Sequence, residues 1–471
     1  MKAVSLREIA DACGGKLLFG DPECIIRNIT TDSRTVPEDA LFVPIVGETA
    51  DGHRFIGKAF ENGAKAVFSE PDKAALPWIQ EHPEENRGVI VVPDTLSALQ
   101  KLGAYLRSLL PVRAVGVTGS VGKTTTREMI ASALSSGKRV FRTGKNYNNK
   151  LGVPITLSEL SEEDEIAVLE LGLNVPGELG LISSLTGLSC AVITNIGVAH
   201  MEYYGSRDRL TEEKLTVVRG FENSREERKV LFLNGDDPML LKYREATGYP
   251  YILYGTGENA EYRAVNIQEE NGCYGFDFVL RGEKMFPVKL GVPGVHNVHN
   301  ALAALAVSDY FGLDLQKAAE SLSGFTGFQG RLQRIEKDGV VYIDDTYNAS
   351  PDSMKAGLAV LSEMKAKGGG RKIAVLGDML ELGEKSADYH YEVGSYAAGK
   401  KPDMVFLSGA SAKEIFRGLL DADKDACVRH FDTAEELKAA LLQTIRAGDL
   451  VYFKASHGMH FSELLQEILQ K

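Results

Sequence analysis

Gly116-Val117-Thr118-Gly119-Ser120-Val121-Gly122-Lys123-Thr124-Thr125-Thr126 decides how the rest of the chain is read. The apolar run Arg113-Ala114-Val115-Gly116-Val117 leads into it as a buried strand. The glycines then let the backbone turn so that successive N–H groups converge on an anion, and a helix from about Thr124 presents its positive end to the same point. In such a loop the backbone of Gly119, Ser120, Val121 and Gly122 cradles phosphate. Lys123 reaches the β- and γ-phosphates, the Thr124 hydroxyl holds Mg²⁺, and Thr125 beside it counts with the ATP-binding residues. The implied ligand is a nucleoside triphosphate. The usual spacing places a glycine five residues before Gly122, where this chain has Val117; its glycine is at Gly116.

Working outward, 471 residues predict about three domains. A hydrophobic content of 44% with 25% charged residues fits globular α/β domains, and 48 glycines suit many strand–helix turns. A net charge of −12 argues against nucleic acid or an anionic membrane as partner. No apolar run approaches the ~18 residues of a membrane span, and Met1-Lys2-Ala3-Val4-Ser5-Leu6-Arg7-Glu8 lacks a signal-peptide core. Cys13, Cys24, Cys190, Cys273 and Cys427 are scattered and odd in number, which predicts reduced thiols, no zinc framework and a cytoplasmic protein.

The predicted fold is α/β throughout. Residues 1–108 form a small α/β domain with short strands such as Ala40–Ile45, Ala66–Phe68 and Val89–Val92. Residues 109–324 form a P-loop domain on a mostly parallel sheet, because Ala167–Gly172, Ala191–Asn195 and Lys229–Asn234 are continuous apolar runs. The Asn271-Gly272 pair predicts a hairpin at an antiparallel edge, and Asn297–Phe311 reads as a helix. The glycine-rich segment Ser323–Arg331 reads as a linker and hinge; beyond it, 325–471 alternates strand and helix as a doubly wound, Rossmann-like domain.

Several polar residues stand out against this frame. Glu170 closes an apolar strand, where a carboxylate faces the crevice at the carboxyl ends of a parallel sheet. His200 follows the next strand on a loop at the same edge. Lys214, in Leu210–Thr216, reads on residues alone as a surface helix lysine beside two acids. Asn297 and Asn300, in Gly294–Ala304, offer a donor and an acceptor to an adenine edge, and Asn297 is equally suited to cap the helix that follows. Ser350 and Pro351 read as the N-cap and first turn of another helix.

Taken together, the loop Gly116–Thr125 and these contexts resemble the Mur ligase superfamily, ATP-dependent amide-bond formers; folylpolyglutamate synthetases share much of the loop. The resemblance implies that Thr124, Glu170, His200 and Lys214 hold two Mg²⁺, Lys214 as a carbamate, and that Lys123, His200 and Lys214 are catalytic. It places Asn297, Asn300, Arg331 and Asp345 on ATP. Thr30–Arg34 is similar to the UDP-sugar-binding domain of the later members, with Ser33 and Arg34 on uracil and pyrophosphate; on residues alone it is an Asx-type turn. In Lys145–Pro154 the amides of Asn146 and Asn149 suit a substrate carboxylate. Asp344–Met354, with Asn348, Asp352 and Ser353, together with Val375–Gly383 and His390, resembles members that join D-Ala-D-Ala to UDP-MurNAc-tripeptide. The chain departs from those members at Thr216, Ser350 and His457, where they tend to carry an acid, Asn and Arg. Small-molecule substrates, no membrane insertion and a monomer complete the expectation. A ligase for a single amino acid and a P-loop regulatory ATPase remain as alternatives.

Overall fold

The computed structural model describes residues 1–47, 50–73, 87–144, 146–198 and 201–470. The chain groups into two compact units, and strand Arg113–Thr118 passes from one into the other. The first holds residues 1–116, 138–191 and 216–229; the second holds 117–137, 192–215 and 230–471.

In the first unit a five-stranded sheet runs in the order Lys16–Phe19, Gly88–Val91, Ala66–Ser69, Ala40–Phe42 and Asn28–Thr30. Only its Lys16–Phe19 edge is antiparallel. Helices Leu6–Cys13 and Thr95–Ser108 cover it, burying Leu6, Ile9, Leu99 and Leu102 against Leu41, Phe68 and Ile90. Each helix starts where a side chain satisfies its open N–H groups: Ser5 with Glu8 in a capping box, and Asp94 accepting from Ser97 N at 2.6 Å. Strands Val140–Arg142 and Ile166–Glu170 pair in parallel in this unit.

In the second unit Val230–Asn234, Tyr251–Gly255 and Tyr262–Glu270 lie in parallel, followed by an antiparallel meander through Cys273–Leu280 to Glu283–Pro293. The expected hairpin turns on Asn271 and Gly272, whose φ of 52° and 79° are the left-handed pair a two-residue turn requires. Helices Lys123–Leu134 and His296–Tyr310 pack on one another.

A six-stranded sheet closes the chain, in the order Gln333–Lys337, Val340–Asp344, Leu450–Lys454, Lys372–Gly377, Met404–Ser408 and Val428–Phe431. All but its first pairing are parallel. Successive residues alternate between two helical layers: Val341, Ile343, Ala374 and Leu376 on one side, Val340, Tyr342, Ile373 and Val375 on the other. That two-sided burial is the doubly wound pattern read from the sequence. It places Asp344, Asp345 and Lys454 at the carboxyl ends of adjacent strands, where such sheets bind ligands. Among the described residues no helix is long and apolar enough to cross a membrane, and all five cysteines are free thiols.

Candidate functional site

The phosphate loop takes the shape its residues require. Gly119 has φ 145°, and a Cβ there would sit 1.9 Å from Thr194 Oγ1; Gly122 has φ 84°, and the helix starts at Lys123. Asn195 fastens the loop: its side-chain oxygen accepts from Val121 N at 3.0 Å, its amide donates to Val121 O at 2.9 Å, and its carbonyl accepts from Ser120 N at 3.0 Å. Thr194 Oγ1 donates to Val121 O at 2.7 Å. Lys123 bends back over the loop, Nζ donating to Gly119 O at 2.9 Å and Ser120 O at 3.3 Å. Ser120 Oγ is buried with no hydrogen-bond partner among the described residues, as is Arg331 Nε. Orphaned donors of this kind at a glycine loop suit phosphate oxygens.

A cavity of about 350 Å³ opens beside the loop, lined by Val121, Gly122 and Thr125 together with Asn297, Asn300, Arg331, Asp345, Asp352 and Ser353. The two asparagines form one network with the loop helix. Asn297 donates to Pro293 O at 2.6 Å, Asn300 donates to Asn297 Oδ1 at 2.8 Å, and Asn300 Oδ1 accepts from Thr126 Oγ1 at 2.9 Å. Asn297 is not the N-cap; Val295 holds that position and the helix begins at His296. His296 also lines the cavity, and burial pulls its imidazole down to about 4.

Arg331 lies over the Tyr347 ring at 4.1 Å, with Nη2 3.5 Å from Thr124 Oγ1. Asp345 is held from behind: Oδ2 accepts from Lys454 Nζ at 2.6 Å and from Tyr452 OH at 3.0 Å. Lys454 also donates to Asn348 O at 3.0 Å, so one buried ammonium fastens both ends of the Asp345–Asn348 turn. A second cavity, of about 90 Å³, lies between Lys123, Arg331, Asn348, Ser353 and the turn Leu380–Leu382. Ser350 caps helix Pro351–Glu363 with Ser353, as its sequence predicts. His390 accepts from Met379 N at 2.9 Å and so fixes the chain leading into that turn, while His457 is exposed beside Tyr347.

Lys214 corrects the reading drawn from its neighbours. It is 1% exposed, not a surface lysine, and desolvation, aided by the Lys123 charge, holds its pKa well below the ordinary lysine value. A buried amine that sheds its proton is the form that adds CO₂.

In the first unit Glu170 ends its strand with 4% exposure, and Oε1 accepts from Asn148 Nδ2 at 2.8 Å. Asn148 was not singled out from the sequence. Of the two that were, Asn149 accepts from Leu151 N at 3.2 Å and Gly152 N at 2.8 Å, and Asn146 is exposed. Ser33 is buried, and Arg34 is an exposed partner of Asp32, with Nε–Oδ1 at 2.9 Å and Nη2–Oδ2 at 2.7 Å, in the Asx-type turn that residues alone predict. His200 lies outside the described residues. Among the described residues no three or more His, Cys, Asp or Glu gather as a metal cluster. The Thr124 hydroxyl in the second unit and the Glu170 carboxylate in the first are each oxygen donors of the hard type Mg²⁺ prefers.

Three family models match the chain: the Mur ligase family catalytic domain over residues 25–106, the Mur ligase middle domain over 117–308, and the Mur ligase glutamate ligase domain over 330–457. The UDP-N-acetylmuramoyl-tripeptide–D-alanyl-D-alanine ligase of Bacillus subtilis is 39% identical, over 99% of this chain and 98% of that one. The crystal structure of MurF from Acinetobacter baumannii has 30% identity and a TM-score of 0.87, with all of both chains covered. That of MurF ligase from Thermotoga maritima in complex with ADP has 29% identity and a TM-score of 0.79, covering 94% of this chain and 97% of that one.

Proposed function

The chain belongs to the Mur ligase family, with its three-domain α/β architecture, and from that premise we propose the reaction its site performs. It is an ATP-dependent carboxylate–amine ligase that adds D-alanyl-D-alanine to UDP-N-acetylmuramoyl-tripeptide in peptidoglycan precursor synthesis. The observation that carries the chemistry is the glycine loop, with Lys123 and the orphaned Ser120 hydroxyl, opening onto cavities that also hold Arg331, Asp345 and Asn348.

A carboxylate has no leaving group better than oxide, so it is activated first. The terminal carboxylate of the tripeptide attacks the γ-phosphorus of ATP; an O–P bond forms, the β,γ-bridging bond breaks, and ADP departs from an acyl phosphate. The neutral amine of D-Ala-D-Ala then adds to the acyl carbon; the tetrahedral adduct loses a proton from its nitrogen and expels phosphate as the C–O bond breaks, and the departing phosphate can carry that proton, leaving the amide. Lys123, Arg331 and the loop N–H groups offset the charge that gathers on the transferring phosphoryl oxygens. Asn297 and Asn300 take the nucleotide, with Asp345. Asn348, Asp352 and Ser353 face the peptide side, and Ser33, Arg34, Asn146 and Asn149 serve the UDP-tripeptide. Water must be excluded, because it would hydrolyse the acyl phosphate. We take the domains as 1–108, 109–324 and 325–471, with closure about the Gly324–Gly330 segment.

Two Mg²⁺ supply charge neutralisation on the triphosphate when bound; Thr124, Glu170, His200 and carbamylated Lys214 would hold them. The depressed Lys214 pKa supports the carbamate: the neutral amine adds to CO₂, a C–N bond forms and one proton is lost. The enzyme works as a cytoplasmic monomer.

The test is ADP release with Mg²⁺-ATP and UDP-MurNAc-tripeptide, with and without D-Ala-D-Ala, and the product mass. Release that depends on the dipeptide, with a pentapeptide product, is the expected result. Stimulation by a single amino acid instead would move the enzyme to the preceding ligation, and release indifferent to any amine would leave a regulatory ATPase.

A further inference from the structure

The acceptor amine arrives as an ammonium, yet the wall of the smaller cavity carries two cations, Lys123 and Arg331. An ammonium placed there unaided would be repelled. Among the lining residues Glu381 is the one carboxylate. Its backbone is unusual: φ is 62°, the left-handed region that a residue with a Cβ enters at a cost, whereas Gly383, two residues on and also at φ 62°, takes such a conformation freely.

The turn is pinned on both sides of that strain. Met379 N donates to His390 Nε2 at 2.9 Å, Leu380 N donates to Ser456 Oγ at 2.9 Å, and the Leu382 side chain is buried. These contacts connect strand Lys372–Gly377 to helix Ser386–Lys400, and a glycine at position 381 would serve that connection with less strain. The Glu381 carboxylate lines the cavity beside the phosphate loop, and there it is the group whose charge suits a cationic ligand.

We propose that Glu381 binds the α-ammonium of the acceptor dipeptide and holds it beside the acyl phosphate. The assignment rests on the ligase activity above and names the group that recognises its second substrate. A charge-assisted hydrogen bond of this kind corresponds to a loss of about tenfold or more in acceptor affinity when the charge is removed.

The experiment uses the full chain and two variants, Glu381→Gln and Glu381→Gly. Steady-state KM is measured for ATP, UDP-MurNAc-tripeptide and D-Ala-D-Ala, and Ki for propionyl-D-alanine, which has the acceptor's shape without its ammonium. Both variants are expected to raise the dipeptide KM about tenfold or more. KM for the other two substrates stays within about twofold, and propionyl-D-alanine inhibits wild type and Glu381→Gln equally. Thermal stability of Glu381→Gly is expected to equal or exceed wild type, because glycine relieves the left-handed backbone. An unchanged dipeptide KM in Glu381→Gln overturns the proposal, as does a parallel rise for all three substrates or an equal weakening of propionyl-D-alanine. If wild type itself releases no ADP in response to the dipeptide, the ligase activity fails first, and that result is distinct from any of these.

Discussion

Replacing Lys454 by Met isolates the interaction that holds the Asp345–Asn348 turn. Its ammonium is 2.6 Å from Asp345 Oδ2, and the two side chains are 2% and 9% exposed. The methionine fills the same volume but leaves the Asp345 carboxylate in the interior with Tyr452 OH as its hydrogen-bonding neighbour. Removing one partner of a buried pair costs about 3–5 kcal/mol, because the remaining charge has lost its compensation. For a unit of this size that is a fall in Tm of about 10 °C. Lys454→Met/Asp345→Asn removes both charges and is expected to recover most of the loss. Asp345→Asn alone costs less than Lys454→Met, since burial already lowers the Lys454 pKa and the unpaired amine can shed its proton. Differential scanning fluorimetry and urea titration of the four proteins read these differences directly. A loss below about 1 kcal/mol in Lys454→Met, or a double variant no more stable than that single one, would refute the reasoning.

Gly119→Ala places a Cβ 1.9 Å from Thr194 Oγ1 on a backbone at φ 145°, so the loop must open; ATP affinity is expected to fall at least about tenfold by calorimetry while the remainder stays folded. Lys123→Ala is expected to abolish ligation with unchanged circular dichroism, and near-normal turnover would remove the lysine from the chemistry. Lys214→Ala is expected to lose activity and regain part of it with added short-chain carboxylic acids; full activity without them would leave the lysine a packing residue. His296 titrates near 4 when folded against an ordinary 6.5, so the unfolded chain binds the proton first as pH falls. Stability is therefore fully present above about 6.5 and lost progressively toward 4, and His296→Leu should flatten that part of the Tm–pH curve.

What was legible in the sequence is what local backbone chemistry dictates. The phosphate loop, the Asn271-Gly272 hairpin and the Ser350 cap each depend on residues within a few positions of one another, and apolar runs announce buried strands wherever they occur. The missed features are set by distant partners. Helix Arg207–Leu215 is so polar that Lys214 reads as a surface residue, and tertiary packing alone buries it. Parallel pairing of Asp344 with Phe453 brings Lys454 beside Asp345 from 109 residues away, a register no local pattern encodes. Asn195 clamps a loop 74 residues earlier in the chain. Among Asn146, Asn148 and Asn149, only the turn geometry decides which amide meets Glu170 and which accepts from the backbone N–H groups of Leu151 and Gly152.

The most direct test of the acyl-phosphate route follows oxygen. UDP-MurNAc-tripeptide labelled with ¹⁸O in its terminal carboxylate is turned over with Mg²⁺-ATP and D-Ala-D-Ala, and the released phosphate is examined by mass spectrometry. Attack of that carboxylate on the γ-phosphorus predicts one ¹⁸O in each phosphate formed. Unlabelled phosphate, accompanied by normal pentapeptide, would contradict activation through an acyl phosphate.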